Sequence, residues 1–306
     1  MTTIAQADSS ADRAAFLAER LTGIGGSDAA AVLGFNPYKT PFQVYLEKRG
    51  EAEPEDLSNK AAVEWGNRLE DVVAAAYAEK TGTVVRRVNT LLRSDQHPFA
   101  IAHLDRRIVG VKKGLEVKTA GTWVAQTDAW GEPGTDQVPE PYIAQVQHYM
   151  AVTDYVEFDL AVLIGGQDFR IYTIPRDEEF IAGMMAAEAE FWAAVQSGNP
   201  PAAVTIADAR RRFPVSKNVE IEATAEIAQA ESTLRVVEAE LKATKAMHDD
   251  LVGQIQGFMG EADTLTRGGI RIRTWKSQHR DAYSVGASDF RVFRSVAPPK
   301  QKAVAA

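Results

Sequence analysis

Four side chains in this sequence carry reactive chemistry at a spacing that could be used. Glu116 and Lys118 flank Val117 in a β-rich stretch, Leu115 to Thr119, so strand alternation points both to one face. Asp105 lies in the preceding β-rich stretch, within Ala102-His103-Leu104-Asp105-Arg106, and Gly110-Val111-Lys112-Lys113-Gly114 between them reads as a hairpin turn. If the turn is the four residues Gly110 to Lys113, antiparallel pairing sets Lys118 opposite Asp105 and Glu116 opposite Arg107, and all share a face. A five-residue turn would send Asp105 to the other side. Glu70 sits in mid-helix beside an apolar stripe, where a carboxylate needs a reason to be buried. Two or three carboxylates can hold Mg²⁺ or Mn²⁺, hard cations that prefer oxygen. Such a metal activates water and neutralises charge in phosphodiester hydrolysis. A neighbouring lysine can position or deprotonate that water. Taken singly, each residue has a plainer reading: a solvated strand face, a hairpin surface, an exposed helix position. Their order along the chain favours the chemical one.

The elements that must position them follow from pattern. Residues 11 to 20 read as an amphipathic helix, followed by the turn Gly23-Ile24-Gly25-Gly26. Ser27 is expected to cap a short alanine-rich helix that stops near Gly34, and Pro41 to open another through Lys48. A helix from about Asn59 to Thr81 ends at Gly82, with Leu69, Val72, Val73, Ala76 and Tyr77 as its apolar stripe. Strands are expected over Val84 to Leu92, Ile101 to Val109, Leu115 to Thr119, Val156 to Ile164 and Phe169 to Ile174. Gly121 to Val138 reads as a loop, and helices are expected from Pro141 to Val152 and from Asp177 to Ser197. The reading divides the chain into a core over 1–216 and an extension over 217–306. In the extension, Glu220 to Met259 is rich in Ala, Glu, Leu and Gln, with Ile227, Leu234, Val237, Leu241 and Leu251 at helical spacing. Periodicity leaves one long helix or a helical hairpin open. A β-like segment, Gly269 to Trp275, and a basic tail close the chain.

Composition narrows the function classes. The 306 residues contain no cysteine, which excludes disulfides, thiolate zinc sites, iron–sulfur clusters and cysteine nucleophiles. No stretch approaches a membrane span, and Met1 to Ala15 lacks the pattern of a secretory signal, so a cytoplasmic protein without a membrane partner is expected. The five histidines, His97, His103, His148, His248 and His279, are scattered and read as structural or solvated. A net charge of -8 argues against nucleic acid, but local patches decide such contacts. Between Arg267 and Lys302 basic residues outnumber acidic ones, with Trp275, Tyr283, Phe290 and Phe293 interleaved, a mixture able to touch backbone and bases.

Four motifs in order, Trp65-Gly66-Asn67-Arg68-Leu69-Glu70, His103-Leu104-Asp105, Leu115-Glu116-Val117-Lys118-Thr119 and Tyr142-Ile143-Ala144-Gln145-Val146-Gln147, resemble the YqaJ-type, lambda-exonuclease-like viral recombinases. Gly25-Gly26-Ser27-Asp28-Ala29 and Asn36-Pro37-Tyr38 resemble that family's N-terminal motif, and the likeness spans about residues 15 to 200. It implies a PD-(D/E)XK restriction-endonuclease-like core, a mixed α/β sheet flanked by helices, here with a helical extension and a β-containing basic tail. It also implies Mg²⁺-dependent exonuclease action on double-stranded DNA ends. In that likeness Asp105, Glu116 and the Val117 carbonyl are metal ligands and Lys118 is the catalytic lysine. Glu70 would be a further ligand or a base for a second metal. Gln145 would lie at the active site, and Arg20 with Ser27 would bind a 5′-phosphate, which a serine at a helix N-terminus also suits. A single-strand annealing protein as partner, a ring-shaped homo-oligomer and a phage or prophage origin in a bacterial host are carried over in the same way. Two other readings stay open: an endonuclease or repair nuclease of the same fold, and a DNA-end-binding scaffold without catalysis.

Overall fold

The computed structural model describes residues 18–57, 59–122 and 129–279. By contacts the chain forms two compact units, Met1–Arg212 and Phe213–Ala306. In the first unit the order is α1 (Gly26–Val32), α2 (Pro41–Lys48), α3 (Ala61–Thr81), β1 (Val85–Arg87), β2 (Leu92–Arg93), β3 (Ile101–Ala102), β4 (Arg106–Ile108) and β5 (Lys113–Ala120). Then come α4 (Glu140–Thr153), β6 (Glu157–Ile164), β7 (Asp168–Pro175), α5 (Glu178–Ser197) and α6 (Ile206–Arg212).

A five-stranded sheet runs β1-β4-β5-β6-β7. Only β5 and β6 pair in parallel, as the β5-α4-β6 crossover requires; the other pairs are antiparallel. The sheet is therefore mixed and helices cover it, the α/β architecture expected from the sequence. Alternation along β6 explains the two layers. Phe158, Leu160, Val162 and Ile164 pack with Val146, Tyr149 and Met150 of α4 and Ile181, Met184 and Met185 of α5. On the opposite face Leu115, Val117 and Ala161 meet Val73, Ala74 and Tyr77 of α3. A third cluster joins Ile24 and Ala31 to Phe42, Tyr45 and Leu46 of α2 and Phe191 and Val195 of α5.

Several helix ends follow their sequence signals. Thr40 accepts a hydrogen bond from the Gln43 N–H, with Pro41 in the first turn of α2. Gly82 and Gly198 end α3 and α5 in the left-handed conformation. Asp177 caps α5 by accepting from the Glu179 and Phe180 N–H groups.

Other expectations need correction. Gly25, not Ser27, is the N-cap of α1; Ser27 stands inside the first turn, and the Asp28 carboxylate accepts the Gly25 N–H at 3.3 Å. The stretches Val84 to Leu92 and Ile101 to Val109 are each broken in two. Leu92–Arg93 pairs with Ile101–Ala102 in a separate two-stranded sheet, whereas Val85–Arg87 and Arg106–Ile108 belong to the main one. On α3, Val72 is exposed and the buried stripe is Val73, Ala74 and Tyr77. The β4–β5 register also differs. Arg106 pairs with Leu115 and Arg107 with Gly114, two residues away from the expected alignment. The turn begins one residue earlier than expected, which keeps the parity and so keeps Asp105 on the face of Glu116. The short helix α6 was not foreseen.

The second unit contains α7 (Ala225–Met259), β8 (Thr264–Arg267) and β9 (Ile270–Thr274). The helix is one uninterrupted element of 35 residues, about 52 Å at 1.5 Å per residue, which decides against a helical hairpin. Thr224 caps it by accepting from the Ile227 N–H. Most of the expected N-terminal helix, and Tyr283, Phe290 and Phe293 of the basic tail, lie outside the described residues. No described helix is long and apolar enough to cross a membrane.

Candidate active site

The site forms where β5 loses a neighbour. β4 pairs with β5 only at Gly114 and Leu115, and the chain before Arg106 turns away. The Asp105 carboxylate takes the next place on that edge, accepting the Val117 N–H at 2.9 Å. N–H and C=O of one strand residue point to the same edge, so the Val117 carbonyl faces this opening too. Glu116 and Lys118 alternate with Val117 and face α4. Gly114, on that same face, permits the close approach of β6: a Cβ there would lie 2.1 Å from the Phe158 ring.

Helix α4 supplies the lid of the cluster. Gln145 donates from Nε2 to Glu116 Oε1 at 2.8 Å and to the Tyr149 hydroxyl at 2.8 Å, while its Oε1 accepts from Lys118 Nζ at 3.1 Å. Lys118 Nζ also reaches Glu116 Oε1 at 2.6 Å and stands 5.1 Å from the Tyr142 ring centroid. Both N–H groups of the Gln145 amide and its oxygen are thereby engaged. The other carboxylate oxygen, Glu116 Oε2, is buried with no hydrogen-bond partner among the described residues. Burial and the nearby Glu116 carboxylate push the Asp105 carboxyl up to about 8. Burial opposes the charge on Lys118, but Glu116 and Asp105 outweigh it and hold the ammonium above its ordinary value. Burial and the same two carboxylates raise Tyr149 well above an ordinary phenol.

One buried and one half-buried carboxylate, with an unsatisfied oxygen on Glu116 and a single lysine beside them, form a pocket deficient in positive charge. Asp105, Glu116 and the Val117 carbonyl present oxygens of the kind that a hard divalent cation prefers. Among the described residues no trio of Asp, Glu, His or Cys side chains is gathered closely enough to hold an ion. Glu70, expected as a further ligand, lines the same cavity, but its Oε1 accepts from Arg106 Nη1 at 2.6 Å.

That cavity, about 560 Å³, is also lined by Arg20, Gly25, Gly26 and Ser27. Gly26 is needed there: a Cβ would stand 2.5 Å from the Tyr149 ring and 3.1 Å from Gln145 Cγ. Arg20 is held by Asp28, Nη2 to Oδ1 at 3.0 Å, and Lys48 Nζ bonds both Asp28 Oδ2 and the Arg20 carbonyl at 2.6 Å. Burial works against the Asp28 charge, yet Lys48 and Arg20 keep it well below the usual carboxylate range. Sequence reasoning missed Asp28, Lys48, Arg106 and Tyr149. Two had an available signal: Tyr149 is one helical turn beyond Gln145, and Arg106 is the immediate neighbour of Asp105. Lys48 joins the site only through tertiary packing, and nothing local marks it.

Comparison with known proteins bears on the family and the fold. Residues 15–156 match the YqaJ-like viral recombinase domain. The chain is 35% identical over 264 residues to the uncharacterized protein YqaJ of Bacillus subtilis (strain 168), covering 84% of this chain and 81% of that protein. Among solved structures, the alkaline exonuclease LHK-Exo of Laribacter hongkongensis is similar at a TM-score of 0.50 and 21% identity, covering 61% of this chain and 94% of that one. The same exonuclease in complex with dAMP gives a TM-score of 0.50 and covers 66% of this chain and 98% of that one. At that identity the likeness bears on the fold, and it agrees with a PD-(D/E)XK core. With a sheet edge opened at Asp105, the Glu116-Val117-Lys118 strand and a relative aligned over most of both chains, this protein belongs to the YqaJ-like viral recombinase family.

Proposed function

We propose that this protein is a metal-dependent exonuclease that resects double-stranded DNA ends, 5′ to 3′, and leaves a 3′ strand for an annealing partner. The observation that carries the reading is the cavity itself. The carboxylates of Asp105 and Glu116, the Lys118 ammonium and the Gln145 amide open into the same space as Arg20 and Ser27. Family membership and a fold shared with a solved alkaline exonuclease support it.

In this reading Asp105, Glu116 and the Val117 carbonyl would hold Mg²⁺, or Mn²⁺ in its place, and the ion would supply an activated water and positive charge beside the phosphate under attack. Lys118, kept protonated by Glu116 and Asp105, orients that water and adds positive charge beside the phosphate. Gln145 fixes Lys118 and Glu116 relative to each other, since its amide bonds both. Glu70 would join the ligands through its second carboxylate oxygen, since Oε1 accepts from Arg106. Arg20 and Ser27 would bind the 5′-phosphate of the strand being removed, with Arg20 held in place by Asp28.

The test is digestion of linear duplex DNA labelled separately at its 5′ and 3′ ends, with covalently closed circles alongside. The proposal expects early loss of the 5′ label, intact circles, dependence on Mg²⁺, and no activity in Lys118→Ala or Asp105→Ala. Cut circles would make it an endonuclease. Binding of ends without cleavage in any divalent metal would leave a scaffold.

A further inference from the structure

Helix α7 presents an apolar face that the described residues of its own unit leave open. Leu241 is 67% exposed and Phe258 81%, and Ile227, Val237 and Leu251 are also exposed. Their spacing is regular. Ile227, Leu234, Leu241, His248 and Ile255 recur every seven residues, and Ala230, Val237, Thr244, Leu251 and Phe258 follow each by three. This is the alternating three-and-four spacing of a coiled-coil seam, kept from one end of the helix to the other. Both glycines within the helix, Gly253 and Gly257, fall off the seam. A shallow apolar groove over Ala225, Ala230, Leu234 and Val237 marks the start of it.

We propose that α7 forms a two-stranded antiparallel coiled coil with a second copy of this chain. Three features of the helix select that occupant and that direction. First, the seam is symmetric about its centre. Antiparallel alignment sets Ile227 against Phe258, Ala230 against Ile255, Leu234 against Leu251, Val237 against His248 and Leu241 against Thr244. The smallest seam residue meets a large one, and the two polar ones each meet an aliphatic. A parallel pair would instead stack His248 on His248 and Thr244 on Thr244, a polar gap in mid-seam. Second, charge is divided along the helix. Residues 225–241 hold Glu226, Glu231, Glu238 and Glu240 against Arg235, a net of -3, whereas 242–259 hold Lys242 and Lys245 against Asp249 and Asp250, a net of 0. Antiparallel packing sets the acidic half beside the neutral half and brings Glu238 next to the partner's Lys245 on both sides. Parallel packing places the two acidic halves together, with Glu226 beside the partner's Glu231. Third, the length suffices. A seam of about 52 Å at 8–10 Å between axes covers on the order of 1,000 Å² in total, the size a specific interface needs.

The chain lacks cysteine, so crosslinking has no background. Ile227→Cys and Phe258→Cys are made separately in the full chain and oxidised alone and as a mixture. The expected result is a disulfide-linked pair only in the mixture. Crosslinking of each variant with itself would overturn the antiparallel direction. No crosslink in any tube would overturn the interface. Independently, the solution mass of the full chain at tens of micromolar is compared with that of Leu234→Glu/Leu241→Glu, two exposed seam positions. The expected mass of the variant is half that of the wild type, and equal masses would refute the proposal.

Discussion

Replacing Asp105 by Asn should make the metal-free protein more stable while abolishing its activity. The carboxyl is half-buried beside Glu116 and is pushed up to about 8, against an unfolded value of about 3.9. A raised carboxyl stabilises the folded state below its unfolded pKa, and that stability is lost as pH rises from about 4 to about 8. At pH 7 the full linkage would amount to about 4 kcal/mol. Partial solvent exposure reduces the gain from substitution to about 2 kcal/mol, and the bond from the Val117 N–H is kept because an Asn oxygen can still accept it. In a unit of this size that is about 4–8 °C in Tm. The assay is thermal unfolding in EDTA at pH 5, 6, 7 and 8, repeated with Mg²⁺. The variant should melt above the wild type, by a margin that grows with pH, and Mg²⁺ should raise only the wild type. A variant that melts at or below the wild type at pH 8 in EDTA would refute the reasoning that the two carboxylates repel without a cation.

Other expectations follow from the same contacts. His148 and Glu188 form a fully buried pair at 2.9 Å, so His148→Leu alone should cost about 3–5 kcal/mol in urea unfolding, and His148→Leu/Glu188→Leu much less. Burial disfavours the charged ring, but Glu188 outweighs it and raises His148 above 6.5; its stabilisation is complete below about pH 6.5 and is lost as pH climbs through the raised folded value. Loss of that pH slope in the double variant is the check. Gly26→Ala drives a Cβ to 2.5 Å from the Tyr149 ring and should cost about 1–3 kcal/mol, together with nuclease rate, as Tyr149 shifts Gln145. Asp28→Asn removes the charge that pairs with Arg20 and should raise the KM for 5′-phosphorylated ends more than for 5′-hydroxyl ends, with kcat nearly unchanged; an equal change for both ends would count against a phosphate role for Arg20.

The parts of this fold that were legible in the sequence are those fixed by local rules. Pro41, Gly82, Gly198 and Asp177 mark helix ends through their own backbone preferences and caps, and α2, α3 and α5 begin or end as those residues indicate. The common face of Glu116 and Lys118 follows from strand alternation alone. What escaped depends on partners far along the chain. Two long β-rich stretches read as single strands, but Leu92 and Ile101 belong to a separate pair while Arg87 and Arg106 join the main sheet. Hydrophobic pattern cannot say where a strand changes partner. Ser27 looked like a cap because serine favours that position; the Asp28 carboxylate, buried by Lys48 from another helix, takes the Gly25 N–H instead. Glu70, expected as a further ligand, lines the cavity, but its bond to Arg106 spans 36 residues and could not be read from an i,i+4 or i,i+2 spacing.

The turn between β4 and β5 has a consequence for how such chains can vary. Arg107 pairs with Gly114, and the two strands are also held on their far sides, β4 by β1 and β5 by β6. Antiparallel pairs close through loops of several lengths, so residues added between Ile108 and Lys113 can be taken up in the loop while Asp105 stays beside Val117. A residue added within β4, between Asp105 and Arg107, has no such outlet, and a one-residue slip there moves Asp105 out of its place on the edge of β5. Length should therefore drift in the turn and be fixed in the three residues before it.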